Sequence, residues 1–213
     1  MSMDKIDQAY HRLKQSLKEN TDPDFEKKTN TLLKNLHARI DAWEPGQSVD
    51  FIEDFLVGEE VNRFAAAIAI EPRPIVPNLL NFIQMDDTKE ILAKLFLVRK
   101  QNYQVMSYAL AGTIRQIGLL DHLSKNGQSP KPTMYTQRLE LLLFPELFTA
   151  IADSHYLKQV GEELNIPNAR SRPFESLQFY IREKINKYLE ANQLTENEST
   201  FFKAAIAWHV LDR

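Results

Sequence analysis

Apolar side chains recur at helical spacing along nearly the whole chain, and that single feature leaves few folds open. Ile6, Tyr10, Leu13 and Leu17 stand at i, i+4, i+7 and i+11, one stripe of an amphipathic helix. Phe25, Leu32, Leu36, Ile40 and Trp43 line a second stripe, after the Asn20 to Pro23 break in which Asp22 can cap and Pro23 can open a helix. Residues 4–43 therefore read as a helical hairpin. No run sustains the period-2 alternation of a sheet strand, and six glycines in 213 residues leave little for tight hairpins. The pattern predicts an all-α fold with no sheet, an irregular multi-helix bundle of about eight to ten helices.

Further elements follow from local signals. Ser48 can cap a helix beginning near Val49, with Gly58 breaking or bending it and Glu59 to Ile70 continuing as a run apolar nearly all round. Pro72, Pro74 and Pro77 favour an extended connector over 71–77, and a short helix follows over Asn78 to Gln84. Asp86 and Asp87 start a helical pattern that runs to about Leu123, with Gly112 and Gly118 as possible bends. Residues 124–132, SKNGQSPKP, are the most loop-like segment, so one domain over 1–213 divides most naturally into 1–123 and 133–213. In the second part, helices are predicted over 135–144, 146–153 and 156–164. Pro173 opens a long one to about Glu190, with Phe174, Leu177, Ile181, Ile185, Tyr188 and Leu189 facing inward. Thr195 and Glu198 match a capping box for a last helix that reaches almost to Arg213.

Composition narrows the chemistry. The formal charge of −3 does not describe a basic nucleic-acid coat, and zero cysteines exclude disulfides, thiolate metal sites and a cysteine nucleophile. The five histidines lack HxxxH or ExxH spacing, so no metal site is expected. His37 with Asp41 and His209 with Asp212 read as surface ion pairs. Acidic pairs such as Glu162–Glu163 point about 100° apart on a helix and share no ion or proton. Glycine-rich phosphate loops and GxSxG are absent, so no catalytic residue and no cofactor is assigned. No stretch approaches the roughly 18 apolar residues of a membrane span, and the polar N-terminus reads as that of a cytoplasmic protein.

Function is then expected from surface shape rather than from a reactive group. The leading reading is a non-enzymatic cytoplasmic adaptor or chaperone-like part of a larger assembly, for example in bacterial secretion or regulation. Its partner would be another protein, an amphipathic helix or a second copy of itself. The C-terminal segment supplies the candidate surface: Phe201, Ala205 and Trp208 share one face while Phe202, Ile206 and Val210 lie on another, so a partner can cover what the core does not. An alternative is a DNA-binding regulator using the helix–turn–helix-like segment 157–188 with Arg170, Arg172, Arg182, Lys184 and Lys187. Pro173 and the interleaved Glu162, Glu163, Glu175 and Glu183 weaken that reading. A third is a helical enzyme holding a cofactor between helices.

Overall fold

A computed structural model describes residues 2–55, 76–102 and 107–211. Among them are ten α-helices and two short 3-10 helices, with no strand, as the periodicity predicts. The helices are α1 Ser2–Lys18, α2 Phe25–Ala42, α3 Val76–Gln84, α4 Asp86–Asn102, α5 Tyr108–Ile117, α6 Leu119–Asn126, α7 Thr133–Leu143, α8 Ser154–Glu163, α9 Phe174–Ala191 and α10 Thr200–Ala205. The 3-10 helices are Asp50–Phe55 and Ile206–His209. The expected apolar helix over 59–70 and residues 71–75 of the connector predicted over 71–77 lie outside the described residues, whereas Val76 and Pro77 are not extended but open α3, where a proline in the first turn loses no helical hydrogen bond.

The chain forms two compact units, Met1–Thr31 with Phe144–Arg213, and Leu32–Leu143. The 124–132 loop lies inside the second unit, where the Asn78 side-chain amide donates to the Pro130 carbonyl at 2.9 Å.

In the first unit the apolar stripe of α1 (Ile6, Ala9, Tyr10, Leu13) is buried, and α1 packs against the 3-10 helix at 206–209 and against α9. Polar bonds fix the same contact. Tyr10 Oη donates to Glu198 at 2.6 Å, Lys14 Nζ to Glu198 at 2.9 Å, Arg12 Nη1 to the His209 carbonyl at 3.1 Å and Tyr188 Oη to Asp7 at 2.6 Å. Glu198 thus serves α1 and not a capping box. The cap of α10 is Ser199, whose Oγ accepts from the Phe202 amide at 3.1 Å.

The helix predicted over 146–153 does not form. Gln178, fully buried on α9, holds that stretch open: its Oε1 accepts from the Thr149 amide at 3.0 Å and the Thr149 hydroxyl at 2.6 Å, and its Nε2 donates to the Ile151 carbonyl at 2.5 Å. Ala150 N–H donates to the Ala204 carbonyl at 2.9 Å. These bonds use backbone groups that a helix would have consumed, and a buried amide with all its partners is worth more there than one more turn.

In the second unit the predicted helix to Leu123 is interrupted twice. Ser107 is extended and caps α5, its side chain accepting from the Leu110 amide. Gly118, at φ 80°, then separates α5 from α6, a backbone angle that strains any residue with a Cβ. Helix α7 is buried on every face from Tyr135 to Leu143, including Gln137, Arg138 and Glu140. His37 is no surface ion-pair partner of Asp41. Its Nε2 lies 2.9 Å from the Leu142 carbonyl, which only accepts, so the ring hydrogen sits on Nε2 and Nδ1 accepts from the buried Arg99 at 2.8 Å. Arg99 also donates to the Leu143 carbonyl.

Candidate functional site

The C-terminal segment is where an open apolar face was expected, and the structure places it in the interior. Phe201, Phe202, Ile206 and Val210 are all buried by their own chain. Phe202 meets the Tyr10 ring edge-on with centroids 5.4 Å apart, and Phe201 meets Phe25 at 5.8 Å. Trp208 is half-buried and committed. Its Nε1 donates to the Ala150 carbonyl at 3.1 Å, its ring lies 4.7 Å from that of Tyr156, and Tyr156 Oη donates to the Trp208 carbonyl at 2.7 Å. Two apolar faces here mean a central element wrapped on both sides. The element is also shorter than expected, ending as α-helix at Ala205 and tightening to 3-10 geometry at 206–209. His209 is held below its usual pKa by burial and then by the nearby Arg12.

The basic set from 170 to 187 is equally committed. Arg182 is buried at 3% exposure, its Nε donating to the Glu146 carbonyl at 3.3 Å, and burial pulls its pKa down to about 10. Arg170 pairs with Glu162, Lys187 with Glu183 at 2.9 Å, and Lys184 donates to the Leu164 carbonyl at 2.7 Å. Arg172 donates from Nε to the Pro167 carbonyl at 3.1 Å and lies 4.3 Å over the Tyr180 ring. With one of the five buried and the other four tied to carboxylates or carbonyls, they do not form one open basic face for phosphates.

The same helix pair nevertheless carries an opening. A cleft of about 110 Å³ is lined by Ser154, Leu157 and Lys158 from α8 and by Arg172, Phe174 and Leu177 at the start of α9. Its geometry follows from the turn between the helices. Asn165, at φ 54°, ends α8, with Ile166 N–H bonding the Gly161 carbonyl and Asn165 N–H the Glu162 carbonyl, both at 2.9 Å, the Schellman pattern with Asn in place of Gly. The chain returns through Asn168, whose carbonyl accepts from the Ser171 and Arg172 amides, and Pro173 sets α9 running. The helices close tightly at Gly161, where a Cβ would stand 2.8 Å from Leu177 and 2.9 Å from Ala169. The cleft opens beside this contact, with Leu177 shared between the two, along the first turns of both helices.

Leu157 and Leu177 form an apolar floor, each 1% exposed. The rim is cationic. Lys158 has no hydrogen-bond or ion-pair partner among the described residues, and Arg172 has none there for its two terminal nitrogens. The neighbouring carboxylate of Asp153 is spent as the cap of α8, accepting from the His155 and Tyr156 amides at 2.7 and 3.0 Å. Of the cleft's lining, sequence reasoning singled out Arg172, for another purpose, and Phe174 and Leu177 as inward residues of the helix. It missed Ser154 and Lys158, and the available signals were Gly161 at the helix contact and Pro173 at the start of α9.

Among the described residues no group of three or more His, Asp or Glu side chains is placed to hold a metal ion, and no helix is long and apolar enough to cross a membrane. No protein family, curated protein or solved structure matches this chain.

Proposed function

We propose that the protein is a non-enzymatic interaction adaptor that seats a segment of a partner protein at the cleft between α8 and α9. The observation that carries this reading is the cleft itself: an apolar floor of Leu157 and Leu177 beneath polar side chains at Ser154, Lys158 and Arg172. Such a pairing of apolar depth with a few placed polar groups is the usual make-up of a recognition pocket. The docking point expected at the C-terminal segment moves to this edge, because Phe201, Phe202, Ile206 and Val210 are core.

Filling the cleft tests the reading. Ser154→Trp is expected to melt like the wild type yet lose a protein that co-purifies with the wild-type chain from its native cells. If the variant folds and retains every co-purifying protein, the cleft is not the docking point.

A further inference from the structure

We infer that Asn126–Gly127 is a self-modification site, at which Asn126 converts to aspartate and isoaspartate with His122 as proton donor to the departing ammonia. The inference is independent of the adaptor reading. In the sequence Asn126 is the one asparagine followed by glycine, the neighbour whose peptide nitrogen is least hindered. The structure shows why glycine stands there: a Cβ at Gly127 would lie 2.7 Å from the Leu123 carbonyl oxygen and 2.6 Å from Leu123 Cδ1. The pair sits at an exposed end, since α6 stops at Asn126 and Gly127 is extended, at φ −67° and ψ 137°. The bond from Gly127 N–H to the Leu123 carbonyl, at 2.8 Å, keeps the glycine nitrogen in helical register. Rotation about ψ of Asn126, as the terminal turn frays, breaks that bond and brings the nitrogen toward Asn126 Cγ without moving Asn126 off α6.

The asparagine side chain is already placed for the second half of the reaction. Its Nδ2 donates to His122 Nδ1 at 2.9 Å, and His122 Nε2, which then carries the ring hydrogen, lies 3.1 Å from the Thr88 hydroxyl. Buried Thr88 and the Phe82 ring, its centroid 5.5 Å from that of His122, fix the imidazole against α4 and α3. Solvent base takes the Gly127 amide proton, the nitrogen bonds to Asn126 Cγ, and the Cγ–Nδ2 bond breaks with its electron pair leaving on nitrogen. His122, having taken a proton from solvent at Nδ1, passes it to that nitrogen, which departs as ammonia. Water then opens the cyclic imide at either carbonyl, giving aspartate or isoaspartate, so that one water enters for each ammonia lost. The new carboxylate stands at the negative end of the α6 dipole and loosens the turn that leads out of the helix.

The test incubates the full chain in neutral buffer at physiological temperature and follows every asparagine by peptide mass mapping, with isoaspartate detected enzymatically. Aspartate and isoaspartate are expected at 126 ahead of every other asparagine. His122→Gln, which keeps a polar side chain but has no acidic proton to give, is expected to slow conversion at least about tenfold in the folded protein, a modest share of what a placed proton donor contributes. In urea, where the helix no longer holds the two side chains together, wild type and variant are expected to convert at the same rate. Where the Gln variant does not melt as the wild type does, His122→Asn takes its place. Conversion at 126 no faster than at other asparagines would overturn the site. Equal rates in the folded wild type and variant, or a difference that persists in urea, would overturn the role of His122.

Discussion

The C-terminal segment 200–210 and the edge formed by α8 and α9 invert each other's appearance in the sequence. The first carries large apolar side chains on two faces, looks like a docking surface, and is core. The second reads as a basic helix–turn–helix, yet most of its cations are tied to neighbours, and what it offers is a small cleft. A helix apolar on two sides in a chain of this size is more economically covered by its own neighbours than left to a partner. The proposed docking point lies instead where geometry leaves a gap beside a cation that has no partner among the described residues.

Breaking the comparison on the buried side carries the largest expected effect. Phe202→Ala should cost about 3–5 kcal/mol, because a fully buried ring against Tyr10 leaves a cavity. Urea unfolding reads this directly, and an unchanged midpoint would mean that the segment is not core. Gln178→Leu should cost about 3 kcal/mol, since the Thr149 amide and hydroxyl and the Ile151 carbonyl lose their partners at once. The same unfolding measurement checks it. On the other side, Gly161→Ala should cost about 1–2 kcal/mol, the crowding against Leu177 and Ala169 outweighing the gain in helix propensity. It should also alter the cleft that Leu177 floors, visible as changed amide shifts at 174–177.

A pH series sharpens the burial of the first unit. The Tyr10 hydroxyl is pushed up to about 12 from its ordinary 10.0 by burial, then by its hydrogen bond to Glu198 and that carboxylate's charge. Tyr188 shifts the same way through burial and Asp7. The folded state therefore holds these protons more tightly than the unfolded chain. Their contribution is whole below about pH 10 and is lost as the pH rises toward 12. Tyr10→Phe should flatten that alkaline loss in unfolding free energy measured against pH; an equally steep loss in the variant would put the cause elsewhere. The smallest stability effect belongs to Lys158→Met, within about 0.5 kcal/mol, because Lys158 has no partner to lose among the described residues.

Helices with clean stripes and local start signals were legible from sequence. Helix α4 begins at Asp86 and α9 follows Pro173, with Leu177, Ile181, Ile185, Tyr188 and Leu189 buried as their spacing predicts. Where distant residues decide, local signals mislead. Residues 146–153 have helical composition but answer to Gln178, and Glu198 has capping-box spacing but answers to Tyr10 and Lys14 on α1. Helix α7 shows the limit most plainly, since Gln137, Arg138 and Glu140 are polar or charged and are nevertheless buried. The cleft was invisible for the same reason: it depends on how closely Gly161 lets two helices approach, a tertiary distance that no periodicity records.

The most direct measurement is photo-crosslinking in native cells from p-benzoylphenylalanine placed at His155, exposed on the first turn of α8, with Tyr108 as the exposed control. A discrete protein adduct is expected from position 155, absent from position 108 and lost when Lys158→Met is added. An adduct from 155 that persists undiminished in Lys158→Met, or the same products from both positions, would contradict the adaptor reading.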